Sequence, residues 1–96
     1  DAALEKIAEE NPSISFVFID GWATGKANIA GIAFKEEQCG YLAGYAVVKE
    51  GYTKLGFLGG IAVPAVIRYG YGYIQGASAA AEEIDVESED LFTVPK

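Results

Sequence analysis

The 96-residue sequence has no histidine and a single cysteine, Cys39. Without histidine, Ser-His-Asp and Cys-His nucleophile systems and imidazole-based metal sites are closed to this segment. One cysteine cannot form an internal disulfide, and it leaves the redox compartment open. Basic side chains are also scarce: seven against fourteen acids, a net charge of -7. That balance repels phosphate backbones and argues against a nucleic-acid partner or a polybasic membrane surface. The uncharged run Leu55 to Ile67, broken by glycines and Pro64, falls short of the roughly 20 residues that span a bilayer. Asp1, Glu5 and Lys6 stand where a signal peptide would carry a basic stretch before an apolar run, so no signal peptide is expected in this chain.

What is present suits a folded core. Apolar residues make up 51% of the chain and charged ones 22%, which excludes a disordered tail. Spacing of Ala2, Ala3, Leu4, Ile7 and Ala8 predicts a helix over Asp1 to Glu10, stopped by Asn11-Pro12. The nearly continuous apolar run Ile14 to Ile19 predicts a strand covered on both faces, as in parallel sheets. A second strand is expected over Asn28 to Phe34. A helix follows over Lys35 to Glu50, with Gly51 ending it. Lys54 to Gly60 reads as a strand, Pro64 as the first residue of a helix running to about Ile84, Asp85 to Asp90 as an acidic surface segment, and Leu91 to Val94 as one more strand. This order is that of an α/β protein. Three or four strands are few for a sheet sandwiched by helices, so the sequence is expected to belong to something larger, its open sheet edges paired with another segment.

Gly21 to Lys26 superficially resembles a phosphate loop. It has three residues between its glycines where that loop has four, and Ala27 follows the lysine where serine or threonine is required. Gly70, Gly72 and Gly76 lack dinucleotide-fingerprint spacing and fall inside a predicted helix. The pairs Gly40/Gly44 and Gly72/Gly76, each four apart, instead give both helices a smooth face that admits another backbone.

Asp20 ends a buried strand, where open α/β sheets take their ligands, although a turn aspartate before Gly21 would look the same. Trp22 beside it is either an aromatic wall or an exposed loop residue. Lys35, Glu36 and Glu37 gather at a strand-to-helix junction where acids favour the helix terminus. Arg68, the single arginine, suits a salt bridge to a carboxylate such as Asp20 or Glu36, or a ligand. Tyr69, Tyr71 and Tyr73 cannot share one helix face, so at least one turns outward or into a cleft. Cys39 reads as a small packing residue.

Four segments carry a family likeness: Phe16-Val17-Phe18-Ile19-Asp20-Gly21; Phe34-Lys35-Glu36-Glu37-Gln38-Cys39-Gly40-Tyr41-Leu42-Ala43-Gly44; Lys54-Leu55-Gly56-Phe57-Leu58-Gly59-Gly60; and Pro64 through Arg68 to Gly72-Tyr73. Together they resemble the basic membrane protein family, the nucleoside-binding lipoproteins of bacterial ABC importers, from Asp1 to about Ile84. Cys39 departs from the small or acidic residue associated with that position. More distantly the pattern is similar to ribose-binding type periplasmic proteins.

The resemblance implies an α/β fold that is part of a two-lobed type I periplasmic-binding-protein arrangement, with parallel sheets flanked by helices. It makes residues 1–34 the end of lobe 1, residues 35–96 the beginning of lobe 2, and the whole chain a middle third. Asp20 then resembles the acid that accepts hydrogen bonds from sugar hydroxyls, and Asp1 the acid opening the helix at the cleft. Lys35 and Glu36 line the hinge, and Arg68 and Tyr69 the rim of the second lobe. The implied protein is not an enzyme and carries no cofactor or metal. Its partners are a nucleoside or sugar-like ligand, a membrane permease, and the rest of the parent chain or a second copy completing the sheets. Its implied place is the extracytoplasmic surface, through a lipid anchor outside this chain. The alternatives are a sugar receptor, an effector-sensing regulatory module of the same fold, and a flavodoxin-like enzyme half; the last has no cofactor loop.

Overall fold

The computed structural model describes residues 2–22 and 24–92. They form α1 (Ala2–Glu10), β1 (Phe16–Ile19), β2 (Ile29–Ile32), α2 (Glu36–Lys49), α3 (Pro64–Glu83) and a short 3-10 turn, Ser88–Asp90. The chain divides into two compact units, Asp1–Phe34 and Lys35–Lys96.

In the first unit, β1 and β2 pair in parallel with Phe16 opposite Ile29 and Ile19 opposite Ile32. Their connection, residues 20–28, contains no helix among its described residues and is shorter than the dozen or so residues that parallel crossovers usually take. It turns at Gly25, whose φ of 82° suits glycine. Asn28 organises the approach to β2. Its Nδ2 lies 3.0 Å from the Ala8 carbonyl, 3.2 Å from that of Asn11 and 3.0 Å from that of Ile14. One amide thereby ties the end of α1, the Asn11-Pro12 turn and the lead-in to β1 to the residue before β2. Lys26 and Glu9 add an ion pair between the same two regions.

The expectation that β1 is covered on both faces is corrected. Phe16 and Phe18 are half-buried, whereas Val17 and Ile19 are 60% and 66% exposed. Among the described residues of this unit nothing covers their face, so a sequence suited to a doubly covered strand is covered on one side.

In the second unit, two parallel helices interlock through their backbones. A methyl group added at Gly40 or Gly44 would come within 3.0 Å of the Tyr69 or Tyr73 carbonyl oxygen, and one at Gly72 or Gly76 within 3.0 Å of that of Glu37 or Tyr41. The smooth faces expected from glycine spacing therefore face each other reciprocally. Each interior helical glycine costs about 0.5–1 kcal/mol of helix stability, offset by the dispersion contacts that close approach permits. Further along, Val48, Ala77, Ala80, Ala81 and Leu91 form the buried core, with Leu55, Val86 and Phe92 packed against it.

Helix ends follow the sequence closely. Gly51 takes φ 102° after α2, with Gly51 N–H donating to the Val48 carbonyl and Tyr52 N–H to that of Val47. This is a Schellman closure. Asp85, φ 59°, occupies the equivalent position after α3, and Val86 N–H donates to the Ala81 carbonyl. Pro64 opens α3 as expected. No helix among the described residues is long and apolar enough to cross a membrane.

One expected strand needs correction. Lys54 to Gly60 is extended but joins no sheet; Leu55 N–H donates to the Leu91 carbonyl at 2.8 Å, and no ladder forms among the described residues. A strand exists only with a neighbour to share its hydrogen bonds, and among the described residues this unit offers a single carbonyl. Of the expected strand Leu91 to Val94, Leu91 is a turn residue buried in the core and Phe92 packs against that core, while Thr93 and Val94 lie outside the described residues. The acidic stretch Asp85 to Asp90 ends in the 3-10 turn.

Candidate functional site

Asp20 follows the last residue of β1 and takes a left-handed backbone, φ 64°. Its N–H and that of Gly21 both donate to the Ile32 carbonyl, at 2.7 and 3.1 Å, so main-chain bonds to the end of β2 close this turn. Gly21 is buried where a Cβ would collide with the Phe18 ring, which lets the chain fold back over that ring. The Asp20 carboxylate is therefore not needed to hold its own turn. It is exposed and makes no hydrogen bond or ion pair among the described residues. Two residues on, Trp22 emerges 63% exposed.

Asp1 lies outside the described residues. Lys35 is exposed at the N-cap of α2, where its carbonyl accepts from Gln38 N–H at 3.1 Å. Glu36, the first residue of α2, is buried at 4% exposure, and Arg68 Nε donates to its Oε2 at 2.9 Å. Glu37 Oε2 lies 3.9 Å from the same nitrogen. Of the two partners weighed for Arg68, the structure supplies Glu36. The hydrogen bond from Arg68, aided by backbone N–H donation to the carboxylate, holds Glu36 below the ordinary carboxylate range and raises Arg68 further. This pair joins the N-terminal turns of α2 and α3. At the other end Tyr45 Oη donates to Glu83 at 2.7 Å, and Lys49 pairs with the same carboxylate. Hydrogen bonds from Lys49 and Tyr45 lower the Glu83 value.

Tyr69 is half-exposed and lines a groove of about 290 Å³ with Phe57, Gly59, Gly60 and Tyr73. Tyr71 is exposed, and Tyr73 packs inward against Phe57 and Phe92, so the three tyrosines diverge as their spacing predicts. Cys39 is exposed at the edge of this groove rather than packed, because the inner face of α2 is taken by Gly40, Gly44 and Val48. A larger apolar groove of about 530 Å³ runs beside it between Phe57, Ile61, Ile67, Tyr71 and Ile74. Gly59 and Gly60, which the site expectations did not include, line both grooves.

The elements define a parallel α/β protein with a carboxylate at the C-terminal end of its strands, the position at which such sheets take small ligands. Residues 1–94 match the family model of the PnrA-like ABC transporter substrate-binding proteins, and the chain belongs to that family. It is 33% identical over 86 residues to the ABC transporter nucleoside-binding protein BmpA of Lactococcus lactis subsp. cremoris, covering 88% of this chain and 24% of that protein. Basic membrane protein B of Borrelia garinii subsp. bavariensis is 37% identical over 94 residues, 93% of this chain and 27% of its own length. The same protein of Borreliella burgdorferi is 36% identical over 94 residues, with the same two shares. This is the family expected from the four segments. The chain spans about a quarter of the length of these relatives, a smaller share than the expected third.

Proposed function

We propose that this chain is an interior segment of a two-lobed extracytoplasmic receptor for a bacterial ABC importer. In this reading the receptor is a lipid-anchored, non-enzymatic protein that binds a purine nucleoside or a related sugar-bearing molecule. Residues 1–34 end its first lobe and residues 35–96 begin its second, with the hinge near Phe34 and Lys35. Closure of the lobes buries the ligand and presents a new face to the permease. The observation that carries the reading is the Asp20 carboxylate: it stands at the end of a parallel strand with no hydrogen bond or ion pair among the described residues, in a chain whose family is one of ABC transporter substrate-binding proteins. A carboxylate accepts strongly from vicinal hydroxyls, and its two oxygens suit a ribose.

Lys35 and Tyr69, both accessible, serve as hinge and rim contacts in this proposal, and Asp1 as a cleft acid. Glu36 and Arg68 are committed to each other and contribute by holding α2 and α3 in place. The test is calorimetric titration of the full-length receptor with inosine, guanosine, adenosine and ribose. Asp20→Ala is expected to weaken nucleoside binding by about five- to a hundredfold, the range of one charged hydrogen bond. Unaltered affinity would remove Asp20 from the site, and no binding of any of the four ligands would refute the reading.

A further inference from the structure

We propose that Asp20-Gly21 is a latent isomerisation site that the turn after β1 keeps shut: Asp20 converts to isoaspartate when this turn opens and stays aspartate while it holds. The proposal concerns the chemistry of the chain itself and stands independently of the receptor reading.

The reaction needs nothing but water. The Gly21 main-chain nitrogen attacks Cγ of Asp20 in its acid form. The N–Cγ bond forms, the Cγ–OH bond breaks, and the hydroxyl leaves with the amide proton as water, closing a succinimide ring. Water then adds at one of the two ring carbonyls. Addition at Cγ restores aspartate; addition at the Asp20 main-chain carbonyl breaks its bond to the Gly21 nitrogen and routes the backbone through Cγ, as isoaspartate. A side chain on the following residue crowds the attack, and Asp20 is the sequence's single aspartate or asparagine followed by glycine. Its carboxyl group is exposed, with no hydrogen bond or ion pair among the described residues to hold it away from that nitrogen.

The fold withholds the nucleophile instead. Gly21 N–H donates to the Ile32 carbonyl at 3.1 Å, next to the Asp20 N–H at 2.7 Å, so its proton is directed at the end of β2. Gly21 is also buried against the Phe18 ring, where even a Cβ would collide. Attack requires the nitrogen to release that hydrogen bond and pyramidalise, and a residue held between a carbonyl and a ring has no room to do so. The glycine that lets the chain fold over Phe18 is thus the residue that makes the dipeptide labile, and the turn it permits is what protects it.

The experiment incubates the full-length receptor near neutral pH, folded and in guanidinium chloride, and measures isoaspartate in the tryptic peptide Ile7–Lys26 by mass spectrometry. Hydrogen exchange of the folded protein reads the Gly21 amide in parallel. Isoaspartate is expected to accumulate in the unfolded protein, and at least about tenfold more slowly in the folded one, because the reaction waits for local opening. The Gly21 amide depends on the same opening and should exchange at least about tenfold more slowly than in an unstructured chain. Equal isoaspartate rates in the two states would overturn the proposal, and so would an unfolded protein that forms none. An unprotected Gly21 amide would overturn the assignment of the protection to this turn.

Discussion

Glu36 is the buried charged residue among those described, and Arg68 on the facing helix, with backbone N–H donation beside it, compensates its burial. A buried carboxylate is tolerable only when a cation and hydrogen-bond donors replace its water. Because the folded protein holds Glu36 below its ordinary value of 4.5, the pair contributes fully above that pH. Its contribution is lost as the pH falls through the lower folded-state value. Glu83, lowered by Lys49 and Tyr45, acts in the same direction. Glu36→Gln keeps the shape and an acceptor for Arg68 but removes the charge. Thermal melts taken from neutrality into the acid range should show a flatter pH dependence for this variant, with up to one proton fewer taken up on unfolding. An unchanged dependence would show that Glu36 does not titrate differently in the two states. At this scale the sequence was informative about pairing, since the single arginine and the acids opening α2 were both marked as candidates. It could not choose between Asp20 and Glu36, because that depends on which helix face Arg68 occupies.

Among the elements, α2 and α3 form the most constrained contact, and the constraint is glycine. At Gly76 a Cβ would be driven into the Tyr41 main chain, which cannot turn aside as a side chain can. Overpacking costs about 1–3 kcal/mol or more. Alanine regains up to about 1 kcal/mol of helix propensity. Gly76→Ala should therefore destabilise by about 2 kcal/mol in urea unfolding. Gly56→Ala, at an exposed position with nothing within 4 Å, should lie within about 0.5 kcal/mol of the parent. Similar values for the two would mean that the helices do not depend on close approach. The four-residue glycine spacing made this interface legible, because only small residues leave a groove deep enough for another backbone. The strand Lys54 to Gly60 was misread for the opposite reason: its residues are those of a strand, but strand pairing belongs to two segments and a single sequence window describes one.

At the scale of the whole molecule, large apolar side chains remain uncovered. Leu58 is 98% exposed and Ile61 72%, and Ile67, Tyr71 and Ile74 continue the surface along α3. Contiguous apolar surface of this kind marks an interaction site. In the proposed receptor it meets further strands of the second lobe. The 96-residue chain alone is accordingly expected to bind an environment-sensitive apolar dye such as ANS, and the double substitution Leu58→Glu and Ile61→Glu to reduce that fluorescence severalfold. The full-length receptor should give little signal per molecule. A strong signal from the intact protein would mean that this face stays open.

From the sequence alone came the α/β order, the helix boundaries at Pro64 and Gly51, the glycine faces and the family, because each is written in local spacing or in contiguous segments. The tertiary structure decided that β1 is covered on one face, that Lys54 to Gly60 pairs with no strand among the described residues, that Arg68 takes Glu36, and that Asp20 leaves its turn to the backbone. These are properties of neighbours brought together by folding, and a carboxylate closing its own turn and one turned to solvent have the same sequence.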